Sequence, residues 1–359
     1  LLGLFLPEAA LRWLLFSSSE LALSWAGELR NAHNFADSSF EDEYWLLRWV
    51  LEPGESKHRS PTYDARLGWI NDRFDARTRR PLTVDELPGR RPLLMFGASY
   101  VACMTKPKEC FEGLMRQSDI ARQYYPVNYG VGGYGIDQVY LLLRESLDLF
   151  AGENPLVVIG VVLDSDLERC VLGFRSWPKP RFELREGRLV EPGPVFAGGS
   201  QAFLDQHGIG ITSYAWRYLL HGKHQLAGPW RERVRGVAAQ QSAQDELIDA
   251  LLSAMRAELE SRGLEYFFVL FTSPRGLPPA EVPAQERRLT RLFLDEGVPF
   301  VHARPYLLQA GESREGGLDS LFSAAGPAMN HPNAEGNRVL FEALRDGLEG
   351  RFTTQAAFP

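Results

Sequence analysis

Residues 156–163 read LVVIGVVL, eight positions without a polar side chain, five of them β-branched. A strand with one wet face alternates polar and apolar residues. A run with no polar position is covered on both faces, as in a parallel sheet enclosed by two helical layers. Residues 93–96 (LLMF), 126–129 (PVNY), 266–271 (YFFVLF) and 299–301 fit the same sheet. Between them, helical spacing is read at 137–150, 244–262, 284–296 and 334–348. Strands that alternate with helices predict an α/β fold: a three-layer α/β/α sandwich around a parallel central sheet. Residues 168–230 break the rhythm. They contain Trp177, Trp216, Trp230 and a predicted hairpin at 182–190 that turns at Glu186-Gly187. The domain is therefore expected over residues 91–350, with an insertion at about 168–230. Residues 1–90 form an N-terminal extension, in which residues 40–50 read as a helix capped by Ser38 or Ser39.

Charge and cysteine usage exclude several functions. The net charge is −7 over 359 residues, without the basic stripe of a nucleic-acid binder. The arginines at 77–80, 90 and 91 read as a solvated loop. Three cysteines give no complete disulfide framework, although Cys103 and Cys110 can pair in an oxidising compartment. There is no C-x-x-C motif, and His221 with His224 reads as a surface pair, so no metal or cofactor is expected. Residues 1–16 are strongly apolar but are interrupted by Pro7, Glu8 and Arg12. They are too short to span a bilayer. They read as the tail of a membrane anchor, with an amphipathic helix packed on the domain as the alternative. The first reading attaches the N-terminus to a membrane and places the domain outside the cytoplasm, periplasmic or membrane-anchored; a cytoplasmic location is left open.

Three segments at strand ends carry groups suited to acyl transfer. Gly97-Ala98-Ser99 follows the first strand, which exposes a hydroxyl beside backbone N–H groups and the dipole of a following helix. Residues 128–135 (NYGVGGYG) follow the second strand, and their glycines let backbone amides approach a ligand. A phosphate cradle is a weaker reading, because the Lys-Ser/Thr of a nucleotide loop is missing. His331 precedes Pro332-Asn333 at the start of the last helix, after Gly316, Gly317 and Gly326, which suits a general base.

The order of these blocks resembles the SGNH (GDSL) hydrolases over residues 92–348, with NYGVGGYGIDQ and HPNAEGN the most specific parts. Residues 64–69 and 179–190 resemble a membrane-anchored bacterial subgroup of that family. The resemblance implies a flavodoxin-like sheet and an ester substrate, either a small molecule or a carbohydrate. It implies that Ser99 is the nucleophile and His331 its base, with an acyl-enzyme intermediate. The oxyanion would sit among the N–H groups of Ser99 and Gly133, with a third donor at Ser165. The chain departs from the pattern at three positions. Ala98 stands where the family has Asp, Ser165 where it has the oxyanion Asn, and Ala328 where its acid lies three residues before the histidine. Met329 and Asn330 supply no carboxylate, and Asp319 is the nearest preceding one. The expected activity is a serine esterase that removes an acyl group such as acetyl. An O-acyltransferase would use the same residues, and a catalytically silent binding protein would keep the fold.

Overall fold

A computed structural model describes residues 2–37, 41–52, 62–74, 89–222, 237–277, 282–326 and 328–350. The chain divides into two units. One joins residues 1–69 to 168–249, and the other joins 70–167 to 250–359. The N-terminal extension up to residue 69 thus falls in the same unit as the insertion, although about 100 residues separate the two in the chain.

The second unit holds the predicted sheet. Its strands are β1 (Arg91–Gly97), β2 (Tyr124–Gly130), β3 (Leu156–Val162), β4 (Tyr266–Phe271) and β5 (Phe300–His302). All pairs are parallel, in the spatial order β5-β4-β3-β1-β2. This is the flavodoxin-like order, and its topological switch point lies between β1 and β3. Every residue of β3 is buried, as its unbroken apolar run requires.

Alternate side chains point to opposite faces. Leu93, Met95, Val158, Val269 and Val301 form one core with residues of α2 (Phe111–Arg116), α6 (Arg304–Glu312) and α7 (Ala334–Leu348). On the other face Phe268 meets Phe293 of α5 (Ala284–Asp295), ring centroids 4.9 Å apart. There α3 (Ile136–Ser146) also covers β1. The long helix α4 (Val237–Ser261) begins seven residues before its predicted start, because Ala and Gln at 238–244 continue a helix readily. The strand expected at 299–301 runs one residue further, to His302. Pro299 can donate no N–H, although its carbonyl accepts from Phe268 N at 2.9 Å.

The first unit contains helices Leu2–Phe16, Glu20–Ala26, Asp42–Leu51, Gly199–His207 and Tyr214–His221. The predicted hairpin is present, with Glu183–Arg185 antiparallel to Arg188–Val190. Both of its turn residues, Glu186 (φ 52°) and Gly187 (φ 74°), are left-handed, as a two-residue turn between twisted strands demands. The helix read at 40–50 runs from Asp42 to Leu51 with Glu41 at its N-cap position but without a side-chain capping bond, while Ser38 and Ser39 lie outside the described residues. His221 is buried rather than on the surface, with its Nε2 3.3 Å from Arg217; His224, Trp230 and residues 77–80 lie outside the described residues. Among the described residues no helix is long and apolar enough to cross a membrane.

A buried ionic cluster locks the C-terminal ends of β4 and β5. Arg304 N–H donates to His302 Nδ1 at 3.1 Å, so the ring proton lies on Nε2, 3.2 Å from Glu286 Oε1. The Arg304 guanidinium bonds both Glu286 oxygens and the Gly276 carbonyl. Burial alone would raise the Glu286 pKa, but the hydrogen bonds from His302 and Arg304 outweigh it and hold the carboxyl below its ordinary value of 4.5. A depressed carboxylate contributes stability that is complete above its unfolded pKa and is lost as pH falls through the folded one. Glu286→Gln should cost about 3 kcal/mol at pH 7, since it leaves Arg304 underpaired. It should also flatten the loss of stability on acidification, as read by urea unfolding across the acid range.

Candidate active site

Ser99 begins a single helical turn, α1 (Ser99–Ala102), directly above the carboxyl ends of three strands. Glycines make this approach possible. A Cβ on Gly130 would lie 2.2 Å from Ala102 N, and one on Gly160 would lie 2.5 Å from Val101 Cγ2. Asn128 fastens the turn from below. Its Nδ2 donates to the Val101 carbonyl at 2.8 Å, and its Oδ1 accepts from Gly130 N at 2.7 Å. The expected contribution of a helix dipole is reduced, because four residues align few peptide units. The open N–H groups of the first turn are what remains for an anion.

Gly133 occupies the third position of the β-turn Val131–Tyr134, with φ +86°, where a side chain would be strained. Val131 N donates to the Gly97 carbonyl at 3.1 Å, so this turn is stitched to the end of β1 beside Ser99.

After β3 comes Asp164-Ser165-Asp166. Asp166 is buried and accepts from Val162 N at 2.9 Å. The Ser165 hydroxyl donates to Asp166 Oδ1 at 3.2 Å, so it would have to rotate away to serve an oxyanion. Asp164 accepts a hydrogen bond from the hydroxyl of Ser273, which follows β4.

His331 sits in a tightly bonded loop. Its N–H donates to Ala328 O at 2.9 Å, its carbonyl accepts from Ser323 N at 2.9 Å, and Pro332 bridges Phe322. Asn333 caps α7, accepting from Glu335 N at 2.9 Å and Gly336 N at 3.0 Å, while its Nδ2 reaches Ser320 O at 2.7 Å. Gly336 must be glycine, for a Cβ there would lie 2.1 Å from Leu321 O. His331 Nδ1 lies 3.1 Å from the Met329 carbonyl. A carbonyl only accepts, so Nδ1 carries the proton and Nε2 is the basic nitrogen. Asp319 is exposed on the turn Gly317–Leu321. A peptide oxygen is therefore one group that aligns the imidazole.

Two clasps bring the serine and histidine segments to one rim. Tyr100 Oη donates to Asn330 O at 3.1 Å, and the rings of Tyr100 and His331 are 5.8 Å apart. Asn337 Nδ2 donates to Thr105 Oγ1 at 2.9 Å and approaches Cys103 Sγ at 3.5 Å. Cys103 is disulfide-bonded to Cys110. Burial pushes the Tyr100 phenol up, and the nearby Asp164 and Asp166 charges push it further, so it stays a donor. Sequence reasoning assigned no role to Tyr100, Thr105 or Asn337. The only available signal was position, since Tyr100 adjoins Ser99 and Asn337 ends the HPNAEGN block. Among the described residues no group of three or more His, Cys, Asp or Glu side chains is placed to hold a metal.

No protein-family model and no curated protein matches the chain. Several solved structures do at low similarity. TesA is 17% identical, with 72% of this chain and 99% of that one covered and a TM-score of 0.37. The acetyl xylan esterase AlAXEase is 13% identical over 72% and 99%, TM-score 0.38. Axe2, an acetylxylan esterase from Geobacillus stearothermophilus, is 14% identical over 72% and 94%, TM-score 0.36. Likenesses of this size carry no argument about activity.

The glycines of this rim separate by their surroundings. Gly130→Ala forces α1 off the sheet and should cost about 1–3 kcal/mol. Gly132→Ala, with nothing within 4 Å of a new Cβ, should stay within about 0.5 kcal/mol of the parent. Guanidinium unfolding of the two variants checks the contrast.

Proposed function

We propose that the chain is a serine ester hydrolase in which Ser99 attacks and His331 is the base, its ring aligned by the Met329 carbonyl and with Ala328 where the resemblance puts a carboxylate. The observation that supports this most is the pair of clasps holding residues 99–105 against residues 330–337, with the His331 proton directed to Met329 O. Nε2 then takes the Ser99 proton as Oγ adds to the ester carbonyl. The oxyanion is received by the N–H groups of Ser99 and Gly133. Nε2 returns its proton to the departing alcohol, and water attacks the acyl-enzyme. A peptide oxygen fixes the tautomer but does not neutralise an imidazolium as a carboxylate does. Loss of the acid costs up to about 10⁴ in rate where it also spoils the tautomer, so a smaller deficit is expected here.

The substrate is an acyl ester, such as the acetyl ester of a carbohydrate, and transfer of the acyl group to a sugar would use the same residues. The Cys103–Cys110 disulfide supports a site outside the cytoplasm, where such bonds persist. Attachment to a membrane through the N-terminal helix is supported by its outward Leu6, Trp13 and Phe16. Two observations favour a second reading, a silent binding protein: Ala328 in place of an acid, and a Ser165 hydroxyl bonded within its own loop.

The two readings part in one experiment. A fluorophosphonate should label the parent at Ser99, and Ser99→Ala should abolish both labelling and hydrolysis of 4-nitrophenyl acetate. A folded parent that takes no adduct and turns over no ester would leave the silent reading standing.

A further inference from the structure

We infer that Tyr100 is a positioning residue that does for His331 part of what a carboxylate does elsewhere, by holding the peptide between the imidazole and its orienting carbonyl. This rests on the reading of Ser99 and His331 as nucleophile and base. The imidazole is aligned by Met329 O, two residues before it in the same loop. Such a bond aligns the ring only as well as the intervening backbone is fixed, and that backbone is Asn330. Asn330 is in the left-handed region at φ 64°, which asparagine tolerates, and outside bonds hold both ends of this residue. Its N–H is held by Ser323 O at 2.9 Å, and its carbonyl is held by the Tyr100 hydroxyl at 3.1 Å.

The phenol is well suited to this. Tyr100 is 4% exposed, and its ring packs against Phe271 (5.7 Å) as well as His331 (5.8 Å). It immediately follows Ser99 in the rigid turn seated on the sheet. Tyr100 thus links the segment that carries Ser99 directly to the peptide that precedes His331. A carboxylate three residues upstream would give no such link, since it would belong to the histidine's loop alone.

Tyr100→Phe keeps the ring and removes only the donor. The expected result is a kcat lower by about ten- to a hundredfold, the penalty of a misplaced catalytic group, with KM unchanged. The His331 Nδ1–H resonance, expected in the parent from its bond to Met329 O, should broaden or vanish into solvent exchange in the variant. Tyr63→Phe removes a comparable tyrosine-to-carbonyl bond, to Val195 O, and should change neither readout. A folded Tyr100→Phe protein that keeps both its kcat and a protected Nδ1–H overturns the inference. A parent without esterase activity, whose Nδ1–H protection is nevertheless lost in Tyr100→Phe, would sink the hydrolytic reading and leave the positioning role intact.

Discussion

The second unit depends on α1 approaching closely where β1, β2 and β3 end. At Gly130 the α1 backbone, and at Gly160 the Val101 side chain, occupies the space that a Cβ would need. Packing this close is the kind of contact that glycine alone permits. It places Ser99 at the switch point of a 2-1-3-4-5 sheet, where the chain departs in opposite directions and a crevice opens past the strand ends. Asn128 satisfies the buried polar groups that this contact creates, which is why an amide stands in an otherwise apolar strand.

Much of the sheet could be read from the chain, because burial on both faces leaves a continuous apolar signature, and because the last helix announces itself with Asn333 and Gly336. The joining of residues 1–69 with 168–249 left no such trace. Hydrophobic periodicity reports which face of an element is buried, not what lies against it. The cluster of Glu286, His302 and Arg304 was equally hidden: its members are 18 residues apart or fewer, yet each alone looks like an ordinary surface charge. At the candidate site, Ser99, Gly133 and His331 were legible from neighbours in sequence. Tyr100 and Asn337 act across 230 and 232 residues, and nothing local distinguishes a tyrosine that bonds a distant carbonyl from one that fills a core.

Ser165 shows how a substitution can be absorbed. The hydroxyl is shorter than an asparagine amide and is taken up by its own neighbour, Asp166, which in turn holds the end of β3 through Val162 N. The Ser165 hydroxyl is thus satisfied within its own loop, where the resemblance led one to expect a donor facing outward. On the proposed reading, the burden of receiving negative charge falls on main-chain amides at Ser99 and Gly133, whose direction is set by glycine-dependent turns.

A peptide oxygen has no proton to gain and no charge to screen. The partner that aligns the His331 ring therefore remains the same acceptor in acid, in base and in concentrated salt, and the only member of the pair able to titrate is the ring itself. An aligning carboxylate would add a second ionisation to the same unit and couple the two. On the proposed reading, the part of the base's orientation that rests on this bond is insulated from its medium, without the extra attraction that a negative neighbour at position 328 would offer a charged imidazole.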